Sequence, residues 1–266
     1  MTFSLCCLLS FTIRRTATER LSPMFTTLEA SKQTANRILN ALTRDEFERL
    51  APLLEYVKMP LGEVLCRPNE PITYVYFPNS GAVSIVSTFE DGETVEVGMV
   101  GNEGMFGVCA FLGSITTPLE AIVQLEGDGL RMRADALKAE FKKGGQLQDL
   151  LLRYTQAFLT QVALGAACNR AHGVDGRLAK WLLMSQDRAH SKELGLTHEF
   201  ISQMLGVRRA GVTEAAGQLK QLGLINYRRG KVIILDREGL EAASCECYPI
   251  LKKEFIRLLS SHGHTL

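Results

Sequence analysis

The sequence predicts an α+β chain in which a β-roll, one long helix and a compact helical module ending in a hairpin follow one another. Three observations carry this reading. Between Val57 and Arg133, short alternating runs (TYVYF, AVSIVSTF, ETVEVGMV, AIVQLEG) recur between turn signals such as PLGE, PNSG, EDGE and EGDG, the pattern of an all-β roll of about eight strands. Gln146–Ala171 then continues at helical period without a proline. Finally, Leu196–Ile225 (LTHEFISQMLGVRRAGVTEAAGQLKQLGLI) reads as a helix, a short turn at Gly206 and a second helix.

Taken in order, residues 1–35 are expected to be a disordered extension. Their apolar stretch, MTFSLCCLLSFTIRR, is followed rather than preceded by Arg14 and Arg15 and has no small-residue cleavage site, so it reads poorly as a signal peptide. Residues 36–145 form the roll domain, entered through a helical segment at 36–56 with Thr43 and Asp45 available as caps and closed by a helix over 134–143. Gly144–Gly145 breaks the chain before the long helix, and 146–173 comprises that helix and a hinge at His172–Gly173. Leu147, Leu151, Tyr154, Phe158, Val162 and Gly165 form a stripe along it. A helix of this length usually needs a partner along its length, so the stripe is expected to be the seam of a homodimer. Residues 174–248 form the helical module and 249–266 a tail, and the end of the chain from Cys245 to Leu266 includes the amphipathic YPILKKEFIRLLSSH, which starts at Tyr248.

Ile201 and Leu205 share one face of the module's first helix, and Val207, Val212 and Leu219 give the second a face to meet it. Ser202 is small where the helices cross, and Gly206 can take positive φ in the turn. The second helix opens on Arg208 and Arg209. Cations there oppose the helix dipole, so an anionic partner is the better explanation. Strand-like alternation on both sides of Arg228, Arg229 and Gly230 then suggests a β-hairpin wing. From Gly176 to Lys231 there are ten Lys and Arg against four Asp and Glu, in a chain of net charge +1, which favours a polyanion at this end.

The segment resembles the winged helix-turn-helix of the Crp/Fnr family of bacterial transcription regulators, and GRLAKWLLM (Gly176–Met184) resembles the helix leading into it. The resemblance implies a cyclic-nucleotide-binding-like β-roll as sensor, a long dimerisation helix and a C-terminal DNA-binding domain. The expected DNA-binding residues are Arg208, Arg209, Gly211, Thr213, Arg228, Arg229 and Lys231, with Arg209 at the family's base-reading position. Where the family usually has Glu and a further Arg, this chain has Ala210 and Glu214, so a different operator is expected. Double-stranded DNA and a second copy are the expected partners, and the resemblance adds RNA polymerase.

The roll argues against the family's cyclic nucleotides. From Pro68 through Leu130 it contains no Lys, Arg or His, while a phosphate calls for a guanidinium. The family's Gly-Glu, Arg-Ser and Thr-Ser ligand pairs correspond here to Gly107–Val108, Leu119–Glu120 and Val162–Ala163. The Gly101–Gly107 amides could cradle an anion only weakly.

Seven cysteines, odd in number and without C-x-x-C, indicate reduced thiols and a cytoplasmic protein rather than a disulfide framework. Cys168 with His172 is half a ligand set, and Cys245-x-Cys247 is sparse alone, so neither a metal nor a cofactor is expected. A redox- or metal-responsive regulator using these thiols is the alternative, as is a winged-helix protein-interaction module that does not bind DNA. All five histidines lie outside the roll and no hydrolase, P-loop or zincin motif occurs, which excludes the common enzyme classes. At 46% hydrophobic residues the chain can build two cores, and no apolar run approaches the ~20 residues of a membrane span.

Overall fold

The computed structural model describes residues 34–260. Most of the expected extension, 1–33, lies outside them. Its last two positions belong to the fold: Thr34 Oγ1 donates to Asn79 Oδ1 at 3.0 Å and the Ala35 amide to the same oxygen at 2.9 Å. Asn36 then caps α1 (Arg37–Asn40), and Thr43 caps α2 (Arg44–Leu50), each side chain accepting amides of the first turn.

The roll has seven strands, one fewer than the spacing suggested: β1 (Glu55–Met59), β2 (Val64–Cys66), β3 (Tyr74–Pro78), β4 (Ala82–Thr88), β5 (Thr94–Val100), β6 (Glu120–Leu125) and β7 (Gly127–Arg133). They form two antiparallel sheets, ordered β1-β7-β3 and β2-β6-β4-β5. A short α3 (Cys109–Leu112) lies between β5 and β6, and α4 (Ala134–Phe141) closes the roll. Val75, Phe77, Val83, Met105, Ala121 and Met132 fill the space between the sheets and are fully buried.

Gly144 and Gly145 take φ of 78° and 85° and start α5 (Gln146–Ala171). The predicted stripe is covered in large part by the chain itself. Leu147, Leu151 and Tyr154 are fully buried in the roll's core, the Tyr154 hydroxyl donates to the Met105 carbonyl at 3.0 Å, and half-buried Phe158 lies where a Cβ on Gly98 would meet its ring at 2.8 Å. The free face of α5 is offset from that stripe: Leu152 and Leu159 are 47% and 62% exposed, with Ala163 and Ala166 also exposed farther along.

After His172–Gly173 come α6 (Val174–Ala189), β8 (Glu193–Leu194), α7 (His198–Leu205), α8 (Arg209–Gln221), β9 (Ile225–Arg228), β10 (Lys231–Ile234) and α9 (Arg237–Ala243). The second core joins this module to the roll, combining Ala82, Val86, Met99 and Leu125 with Trp181, Leu182, Leu194 and Leu205. The tail segment forms α10 (Cys247–Leu259). Its Phe255, Leu258 and Leu259 belong to the core of the roll, so this helix runs back against α5 and ties the C-terminal end of the chain to the first domain. Among the described residues no helix is long and apolar enough to cross a membrane.

Candidate nucleic-acid interface

Thr197 caps α7 by accepting the Phe200 amide at 3.1 Å. The helix ends where Gly206 enters the left-handed region at φ 60°, which no β-carbon opposes there. Buried Ser202 lets α8 cross closely, and buried Arg177 on α6 donates to the Leu205 carbonyl, satisfying an end group that α7 cannot satisfy itself. Arg208 occupies the cap position of α8 and offers no acceptor, so no side chain caps the first-turn amides. Val212, Ala215, Ala216 and Leu219 turn inward, leaving Arg209, Ala210, Thr213, Glu214, Gly217 and Gln218 on one exposed face.

The predicted interface residues divide by environment. Arg208, Arg209 and Thr213 are exposed and Gly211 is half-buried. Arg209 Nε is 3.9 Å from Glu199 Oε2, a loose exposed contact that a phosphate or base could displace. Thr213 Oγ1 donates to the Arg209 carbonyl at 3.0 Å and lies 3.1 Å from His198 Nδ1, so its hydroxyl is already engaged within the module. Burial, with the nearby charge of Arg209, pushes His198 below its ordinary pKa and favours the neutral ring. In the wing, Arg229 and Gly230 have φ of 50° and 76°, the two left-handed residues of a type I′ hairpin. Arg228 and Arg229 project exposed from its tip, whereas Lys231 is paired with Glu193.

Sequence reasoning had no means to find what faces these cations. A cleft of 550 Å³ separates Arg208 and Arg209 from the turn between β4 and β5, with Asp91 and Glu93 on its far wall. Deeper in the joint, α6 is pinned to the roll. Arg188 donates to Glu103 Oε1 from Nε at 3.0 Å and from Nη2 at 2.6 Å, and both residues are buried. Trp181 Nε1 donates to Glu96 Oε1 at 3.1 Å and Ser84 to Glu96 Oε2 at 2.6 Å. Burial outweighs those hydrogen bonds and pushes the Glu96 carboxyl up to about 7.

Inside the roll, Ile72, Ile85, Val100, Met105, Leu119 and Phe158 surround a cavity of 70 Å³, with Gly107 and Val108 at its wall. Its lining is almost wholly apolar and contains no cationic side chain. Small-molecule sites are typically ~300–1,000 Å³ and carry a few convergent polar groups.

A second constellation, split in the sequence into two sparse halves, is assembled by the fold. Cys168 on the last turn of α5 and His172 just beyond its end meet Cys245 and Cys247 at the α9–α10 junction, with their donor atoms all within 4.8 Å of one another. The spacing within each half was visible in the sequence; their meeting across the hinge was not.

Residues 176–243 match the Crp-like helix-turn-helix domain, and residues 56–143 match the cyclic nucleotide-binding domain. The chain is 28% identical over 198 residues to the CRP-like cAMP-activated global transcriptional regulator of Mycobacterium tuberculosis, covering 72% of this chain and 88% of that one. It is 23% identical over 176 residues to the global nitrogen regulator of a Nostoc species, covering 63% and 79% respectively. FixK2 from Bradyrhizobium japonicum has the same fold, with a TM-score of 0.61 at 19% identity over 72% of this chain and 98% of that structure.

Proposed function

The chain belongs to the Crp/Fnr family of transcription regulators, and on that premise we propose that it binds a pseudo-palindromic operator as a homodimer without control by cyclic AMP. The observation that carries the reading is the exposed face of α8, which opens on Arg208 and Arg209 at a helix end without a side-chain cap, beside a wing tipped by Arg228 and Arg229. Arg209, one residue inside the helix, suits bidentate contact with guanine O6 and N7 in the major groove. Gly211 and Thr213 are short enough for a thymine methyl or the backbone. Arg208, Arg228, Arg229 and, once released from Glu193, Lys231 suit phosphates. DNA binding makes the cytoplasm the working compartment and RNA polymerase a partner to test, and regulation rather than catalysis the activity.

The dimer seam is the exposed face of α5. Leu152 and Leu159 lie two turns apart on it, and exposed Ala163 and Ala166 extend the face with little steric bulk. Independence from cyclic AMP is supported by the small apolar cavity and by the roll's lack of any cation between Pro68 and Leu130. The relative from Mycobacterium tuberculosis is named for its activation by cAMP, so this is the point at which the two are proposed to differ.

Footprinting of bound genomic DNA followed by titration of the recovered site tests the reading. Half-sites about one helical turn, ~34 Å, apart are expected, with affinity falling steeply as salt rises. Binding that is indifferent to salt removes the DNA reading, and a saturable heat with micromolar cyclic AMP removes the independence. Leu159→Asp should sediment as a monomer where the wild type is a dimer, because the carboxylate would be desolvated without a partner; a mutant that stays dimeric moves the seam elsewhere.

A further inference from the structure

The end of α5 and the start of α10 meet at the hinge, and the side chains gathered there form a complete ligand set. Cys168 Sγ lies 3.5 Å from Cys245 Sγ, and Cys247 Sγ lies 3.7 Å from His172 Nδ1. A tetrahedral ion with thiolates at ~2.3 Å and imidazole at ~2.0–2.1 Å separates its ligand atoms by roughly 3.5–3.8 Å, so both distances match the edges of such a tetrahedron. An iron–sulfur cluster places several irons and sulfides between its thiolates and would spread them farther apart.

The surroundings are also those of a metal centre. Cys168, Cys245 and Cys247 are buried and form a cluster separate from the two main cores. His172 Nε2 is 3.1 Å from Glu246 Oε1, a carboxylate that favours the proton on that nitrogen and leaves the Nδ1 lone pair free to bind a metal on the side of the thiols. Lys180 Nζ is 3.4 Å from Cys168 Sγ, where it offsets the single negative charge that three thiolates and one divalent ion leave. The Cys245 amide donates to the Gly176 carbonyl at 3.3 Å, fixing this part of the α9–α10 junction against the start of α6.

We propose that Cys168, His172, Cys245 and Cys247 bind one zinc-class divalent ion in a closed Cys3His site. Four protein ligands leave no open position for substrate, so the ion is a staple: it ties the end of the dimerisation helix to the C-terminal helix across the two-residue hinge that joins roll and DNA-binding module. The inference is independent of the DNA-binding reading, since none of the four residues belongs to the proposed DNA-contacting face and the site is read out by metal alone.

The test uses the full chain, purified under reducing conditions, stripped with chelator and titrated with Co2+. One equivalent per chain should produce intense sulfur-to-cobalt charge transfer and the strong visible bands of tetrahedral thiolate coordination, and Zn2+ should abolish both. Elemental analysis of protein not exposed to chelator should find about one zinc per chain. Cys247→Ser and His172→Ala should lower the affinity by orders of magnitude, Glu246→Gln should lower it roughly 10–100-fold, and Cys66→Ser, a buried thiol in the roll, should leave it unchanged. If the ligand variants fail to fold, the wild-type cobalt spectrum still decides, because its intensity reports thiolate ligation directly. A weak octahedral spectrum, binding insensitive to the ligand substitutions, a Cys168–Cys245 disulfide in the isolated protein, or iron with acid-labile sulfide would each overturn the proposal.

Discussion

Between Pro68 and Leu130 the roll contains no basic residue and nine acidic ones, whereas Gly176–Lys231 carries ten Lys and Arg against four Asp and Glu. The structure sets these two regions against each other. Some of the opposed charges are buried at the joint, as in Arg188 with Glu103, while others remain solvent-exposed around a cleft, as in Arg208 and Arg209 opposite Asp91 and Glu93. The comparison teaches that the charge asymmetry serves two tasks. The buried Arg188–Glu103 pair holds the two regions in register, and the exposed cations stay free for the polyanion that the proposed function assigns to them, with the acidic turn across the cleft.

The largest expected effect comes from breaking the buried pair. Arg188→Met leaves the Glu103 carboxylate in the joint without its guanidinium and should destabilise the fold by about 3–5 kcal/mol in urea unfolding. Arg188→Met combined with Glu103→Gln should recover much of that loss, since no uncompensated charge remains. If the single mutant unfolds like the wild type, the two domains are not held there.

Glu96 sharpens the same comparison through pH. Its folded value of about 7 stands above the ordinary 4.5, so the folded protein binds the proton more tightly than the unfolded chain. Stability from this group is therefore fully present below pH 4.5 and is lost as pH rises to about 7, by roughly 2–3 kcal/mol in order of magnitude. Glu96→Gln should flatten this part of the stability profile; an unchanged slope would assign it to other groups.

On the basic side, the arginines should separate by task. Arg209→Ala is expected to weaken cognate binding by about 1–3 kcal/mol and relax preference at one base pair per half-site, with less effect on scrambled DNA. Arg229→Ala should instead weaken all sequences alike and lower the salt slope by roughly two for a dimer. Equal losses on cognate and scrambled duplexes for Arg209→Ala would return that residue to the phosphate group.

The smallest effect concerns the exposed half of the joint. Asp91→Asn with Glu93→Gln removes two carboxylates facing Arg208 and Arg209 and should tighten non-specific DNA binding by about 0.2–1 kcal/mol at low salt, fading as salt is added. No change at low salt would mean that the turn and the duplex do not compete.

The order of elements was legible because each is encoded by neighbouring residues. Gly144–Gly145 marks the start of α5, Thr43 and Gly206 bound their helices, and the alternation of Val57–Arg133 records the pleat. The exposed arginines of α8 and the wing were legible for the same reason, as polar positions on short amphipathic elements. The free face of α5 was not. Apolar residues line more than one side of that helix, and periodicity alone does not say that the roll covers Leu147, Leu151 and Tyr154 while Leu159 is left exposed. Nor did composition reveal that Glu193 engages Lys231, or that the roll's acids face the module's bases.

By itself, then, the sequence determined the kinds of elements, their succession and the chemistry each carries on its surface, because backbone period, capping and local charge depend on residues a few positions apart. Tertiary structure decided which of those surfaces meet. Cys168 and Cys245 are 77 positions apart and His172 and Cys247 are 75 apart, and no local rule relates them. They converge because α6–α9 fold into a module that returns the chain to the end of α5, where α10 packs back along that helix. Only this long-range closure turns two unremarkable pairs into four ligands around one point.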